Sequence, residues 1–119
     1  MKIPRVVYAA LGFAAAAAAI GLVVWQRASW WPLAVFAIAP DISLLIGASS
    51  GLQRGQLHPR AVPIYNAVHR FWVPAALAIV SALLQQPAWV AAGLAWIAHI
   101  GFDRSLGFGL RTPEGFQRS

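Results

Sequence analysis

The sequence predicts an all-α fold: a four-helix transmembrane bundle, up-down-up-down, with both termini cytoplasmic. Three observations predict it. Of the 119 residues, 60% are hydrophobic and 10% charged, whereas an ordinary soluble domain carries about 25% charged residues. Four apolar stretches each approach the roughly 20 residues a helix needs to cross a hydrocarbon core about 30 Å thick. The basic residues fall almost entirely on one side of those stretches. One unit is expected over residues 1–119, since about 100 to 200 residues make one domain.

The first span covers residues 6–25. Its alanine run, Ala14 to Ala19, is a strong helix former and lets a neighbouring backbone approach closely. Lys2 and Arg5 ahead of small residues imitate a signal peptide. The apolar run continues to Trp25, however, longer than the usual h-region of about 7 to 15 residues, so the span is expected to be retained. The others cover residues 30–50, 62–84 and 88–106. Short connections at 26–29, 51–60 and 85–87 favour antiparallel neighbours.

Orientation follows from charge. Lys2, Arg5, Arg54, Arg60, Arg111 and Arg118 fall on one side and Arg27 on the other, which places both termini in the cytoplasm. The net charge of +6 is thus a topology signal with an attraction to anionic lipid added, and no nucleic-acid partner is expected. Trp25, Trp30, Trp31 and Trp89 gather at the opposite ends of the spans, as an interfacial aromatic belt does. The expected setting is a multi-pass protein of the inner membrane. Cysteine is absent, which excludes disulfides, iron–sulfur clusters and a cysteine nucleophile.

Against this apolar background, Asp41, His69, Arg70, His99, Asp103 and Arg104 lie within or at the inner margin of the spans. A charge at the bilayer centre costs about 3 kcal/mol on insertion scales, so such groups face one another or a wet cavity. At about 1.5 Å per residue, Asp41, His69, His99 and Asp103 all fall between the midplane and the inner leaflet. His99 and Asp103 stand four apart and share a helix face, as do Tyr65 and His69, with Asn66 beside them. Pro40 interrupts the second helix next to Asp41, a feature that often marks a binding site at midmembrane depth.

Two imidazoles and two carboxylates from three helices make a divalent metal site suited to zinc, iron or manganese. Bound water on such an ion can have its pKa lowered to about 7. Asn66 would support the ligands, and Arg70 and Arg104 would orient a phosphate or carboxylate of a substrate. A purely structural alternative stands beside this: Asp41 and Asp103 pair with Arg104 and Arg70, while the histidines hydrogen-bond within the bundle.

The blocks "APDISLL", "YNAVH" and "AWIAHIGFDRSLGFGL" resemble the signatures of a small bacterial integral-membrane family, domain of unknown function 4260. The matching positions are Pro40, Asp41, Ser43, Tyr65, Asn66, His69, His99, Gly101, Asp103, Arg104, Gly107 and Gly109. They span about two thirds of the chain. The resemblance implies that these residues serve one site and brings no established activity with it. In style of site alone, the cluster also resembles membrane-embedded metal-dependent hydrolases.

Other signals are weaker. "GASSG" at residues 47–51 matches a serine-hydrolase elbow, but the elbow needs a preceding strand and a helix precedes it here. Paired histidines can ligate a tetrapyrrole, although the nearby carboxylates favour a bare ion. The only lysine is Lys2, so no retinal Schiff base forms. His58 and Glu114 read as solvated loop residues. Three functions follow as expectations: a metal-dependent membrane hydrolase acting on an amphiphilic substrate, a non-enzymatic accessory subunit of a larger membrane complex, and a small transporter working as a homo-oligomer.

Overall fold

An uninterrupted run of good helix formers makes α1, which spans Arg5–Gln26, about 33 Å at 1.5 Å per residue. The computed structural model describes residues 2–118. Among them α1 is the one helix that by itself is long and apolar enough to cross a membrane. The described chain is all-α, with a single antiparallel bridge between Arg111 and Gln117 as its only β pairing.

The expected second span is divided. Helix α2 (Trp31–Ile38) leads into a 3-10 turn at Ala39–Asp41 and then α3 (Ile42–Ile46). Pro40 offers no N–H to the Phe36 carbonyl and its ring crowds the carbonyl four residues back, so the helix tightens there. Helix ends at Ile46, short of the expected Ser50.

The expected third span is broken too, at a place the sequence reading missed. A 3-10 turn at Pro59–Ala61 precedes α4 (Val62–Val68), and α5 (Trp72–Leu83) follows at a bend of 42°. Pro74 explains the position, because an α-helix running through it would need an N–H for the Arg70 carbonyl. The Val73 N–H bonds that carbonyl instead, at 3.2 Å. Carbonyls at the break are taken up from elsewhere: Trp96 Nε1 donates to Val68 O at 2.7 Å and Arg104 to His69 O at 3.2 Å. Trp96→Phe keeps most of the ring but strands the Val68 carbonyl. It is expected to cost about 1–3 kcal/mol, read as a lower unfolding temperature in detergent.

Helix α6 (Pro87–Ser105) is the centre. Helices α1, α2 and α5 each pack on it far more than on one another. A square up-down bundle would give each helix two neighbours, so the default expectation of sequential antiparallel contacts gives way to a hub with three. Composition explains this. Ala91, Ala92, Gly93, Ala95, Ala98 and Gly101 are all buried, and small side chains let several partners approach at once. A Cβ added at Gly101 would lie 3.0 Å from the Tyr8 carbonyl oxygen and 3.1 Å from Gly12 N. Gly101→Val is therefore expected to destabilise by about 1–3 kcal/mol. Gly21→Ala, with open space around it, should leave the unfolding temperature level or raise it.

The outward surface is apolar, with Phe13, Trp25, Leu45, Ile79 and Leu83 all exposed. Beyond α6 the chain turns at Gly107 (φ 93°) and residues 109–118 return as a strap. Asn66 fastens it, donating to Arg111 O at 3.0 Å and accepting from Arg111 N at 2.8 Å. Leu57 N donates to Gly115 O at 2.9 Å.

Candidate metal centre

Each interruption of a helix delivers a side chain to the same place. Asp41 comes from the 3-10 turn after α2, His69 from the break after α4, and His99 and Asp103 from successive turns of α6. His99 Nε2 stands 3.1 Å from Asp41 Oδ1 and 3.2 Å from Asp103 Oδ2. His69 Nε2 stands 3.5 Å and 3.4 Å from the same two oxygens. All four donor atoms lie within 4.8 Å of one another.

The backbone sets the orientation of both rings. His99 Nδ1 lies 2.8 Å from Ala37 O, and His69 Nδ1 lies 2.7 Å from Tyr65 O. A carbonyl oxygen only accepts, so Nδ1 carries the proton in each ring. In the neutral imidazole, Nε2 then presents a lone pair. Both lone pairs face carboxylate oxygens, an arrangement that repels unless a positive charge sits between them. Protons on the two rings can supply that charge, and so can a metal ion. Fixing Nδ1–H with a backbone carbonyl is the usual means of orienting a metal-binding histidine.

The spacing fits an ion. Bonds of about 2.0–2.1 Å around a tetrahedral cation separate its ligands by about 3.3–3.4 Å; the four nitrogen–oxygen distances run from 3.1 to 3.5 Å, and the remaining separations reach up to 4.8 Å, a flatter arrangement than a regular tetrahedron. His69 Nε2, on a side chain only 3% exposed, has no hydrogen-bond partner among the described residues. The group can hold a metal ion. Accessibility is graded: His69 is buried against the protein, His99 and Asp103 are half-buried, and the Asp41 side chain is 44% exposed.

Neighbouring groups stiffen the centre. The Tyr65 ring stacks on His69 with centroids 4.0 Å apart, and the strap reaches Tyr65 through Gln117 Nε2, 3.4 Å from its hydroxyl oxygen. Beside the cluster, between α1, α2 and α6, lies a cavity of about 380 Å³. Ala19, Ile20, Leu33, Ala98 and Phe102 supply apolar wall, and Asp41, His99 and Asp103 also line it.

Of the seven residues expected at the site, four come together and three stand around it. Asn66 is engaged with the backbone of Arg111. Arg70 is exposed. Arg104 holds the His69 carbonyl and lies over the rings of Phe71 and Tyr8, at 4.9 and 5.7 Å. Sequence reasoning missed the Ala37 carbonyl, the Trp96 hydrogen bond and the strap. Pro74 was the available signal for the break that Trp96 caps.

No curated protein and no solved structure matches the chain. The family described as domain of unknown function (DUF4260) matches over residues 6–119, adding the first helix to the blocks that carry the centre. The chain belongs to that family.

Proposed function

We propose that the protein is a multi-pass protein of the inner membrane that holds one divalent metal ion at Asp41, His69, His99 and Asp103 and hydrolyses an amphiphilic substrate with it. The observation that carries this is the meeting of four donors at metal-ligand spacing with an apolar cavity that shares their residues. Zinc, iron and manganese all suit a set of two nitrogens and two oxygens. When bound, such an ion supplies a hydroxide equivalent near neutral pH.

His69, His99 and Asp103 would hold the ion from the protected side. Asp41, the most exposed member, would accept a proton from the attacking water. An acyl or alkyl chain of the substrate occupies the cavity, which excludes bulk water from one face. Arg70 and Arg104 attract an anionic headgroup, and Asn66 acts through the strap it fastens. Four crossings accommodate this: α1, the segment Trp31–Ile46, the bent pair α4 and α5, and α6. The exposed apolar residues support a lipid environment. In α6, ringed by three helices, the polar residues face protein, which is where they are tolerated.

The test uses metal-loaded protein in detergent with acyl ester, amide and phosphodiester substrates of increasing chain length. Turnover should rise with chain length. Asp41→Asn should keep the metal yet lose about 100-fold or more in kcat, while His99→Ala should lose metal and turnover together. Absence of turnover on every substrate class would contradict the hydrolase assignment and leave the metal assignment standing.

A further inference from the structure

A second cavity, of about 460 Å³, opens at the end of the molecule where the chain's N-terminal segment meets the strap. Lys2, Arg5, Arg104 and Arg118 all line it, and no acidic residue does. The chain has three acids. Asp41 and Asp103 belong to the metal centre, and Glu114 is outside this wall. Four cations facing one space with no acidic side chain lining it among the described residues repel one another, and an anion in that space removes the repulsion.

The wall is also built in advance. The Arg104 guanidinium is held against the Tyr8 and Phe71 rings and by the His69 carbonyl, and its Nε is buried with no hydrogen-bond partner among the described residues. The Arg5 guanidinium packs on Gly107, where an added Cβ would stand 2.7 Å from Nη2. Gly107 has φ 93°, a conformation that favours glycine. Planar guanidinium groups bind phosphate oxygens through paired, charge-assisted hydrogen bonds.

We propose that this cavity binds a phosphate-bearing anion. The positions of Lys2, Arg5 and Arg118, on the side assigned to the cytoplasm, put it at headgroup depth. An anionic phospholipid and a free phosphate share the necessary chemistry. The site is separate from the metal centre, joined to it only through Arg104.

Two probes distinguish the sources. The first is native mass spectrometry of protein released from phosphatidylcholine vesicles doped with phosphatidylglycerol. The second is the unfolding temperature of lipid-stripped protein in millimolar inorganic phosphate. The variant R5Q/R118Q is compared with R54Q/R60Q, which removes the same charge away from the cavity. Retention of phosphatidylglycerol by the wild type and by R54Q/R60Q, reduced about tenfold or more in R5Q/R118Q, supports a lipid-headgroup site. A phosphate-induced rise in unfolding temperature that R5Q/R118Q lacks, without lipid retention, supports a site for free phosphate. Equal retention in both variants, equal loss in both, or no response of the wild type to either probe overturns the proposal. Monodisperse elution reports folding independently of the metal, so a failed metal assignment leaves this test readable. Should R5Q/R118Q aggregate, Arg118→Gln alone carries the comparison.

Discussion

Chelation of the proposed metal ion is expected to lower the unfolding temperature of the detergent-solubilised protein by about 10 °C or more. An ion present at about 1,000 times its dissociation constant stabilises by about 4 kcal/mol, and each kcal/mol moves the midpoint of a small domain by several degrees, about 4–8 °C at 60–100 residues. Removing it leaves two imidazole nitrogens facing two carboxylate oxygens at 3.1–3.5 Å, a contact that only ring protonation then relieves. Adding the metal back should restore the midpoint. A variant lacking both His69 and His99 should show no response to chelator. An unchanged wild-type midpoint after complete metal removal would argue against the ion as a part of the folded state.

Gly115→Ala is expected to release the strap. Gly115 has φ 106°, and an added Cβ would run into the Leu57 carbonyl. The same glycine's carbonyl accepts from Leu57 N at 2.9 Å and from Arg111 Nη1 at 2.8 Å. Displacing it breaks both bonds and loosens Arg111 on Asn66 and Gln117 on Tyr65. Tryptic cleavage after Arg111 should then quicken about tenfold or more, as a locally opened segment becomes accessible. Metal affinity should fall by about 10-fold, the lower end of what loss of supporting contacts costs at metal sites, because Tyr65 both stacks on His69 and accepts its Nδ1–H. Gly109→Ala, where an added Cβ meets nothing within 4 Å, is the matched control and should resist trypsin as the wild type does.

The four donors were legible because charge is expensive in an apolar chain. Asp41, His69, His99 and Asp103 stand out from their surroundings, their depths agree, and the interval from His99 to Asp103 sets both on one helix face. The break at Pro40 was equally open to reading, since the residue that causes it sits beside the carboxylate it delivers. At His69 cause and effect are separated: Pro74 acts on the carbonyl of Arg70, and the freed carbonyl of Val68 is capped by Trp96, 28 positions away. Pairings at such separations leave no local pattern. For the same reason Asn66 was drawn toward the four-donor cluster by its spacing from His69, whereas its amide is engaged by a strap 45 residues further on. The strap itself has neither helical nor strand periodicity, so its docking could not be foreseen.

The hub-like packing was half visible. The small residues of α6 signalled close helix contacts, but short loops favour sequential neighbours, and that default concealed the possibility of one helix serving three. Burial of Ala91, Ala92 and Ala98 around the same helix shows why its composition matters: residues without bulk leave no single preferred face. His99 and Asp103 are positioned by that helix against partners that arrive from two interrupted ones.

Elemental mass spectrometry of chelator-free, detergent-purified protein, run beside His69→Ala/His99→Ala, tests the central claim most directly. About one divalent metal ion per chain in the wild type, with almost none in the variant, is the result predicted for a four-donor site. A folded, monodisperse wild type without stoichiometric metal would contradict it, leaving the cluster as a protonated histidine–aspartate network that joins three helices.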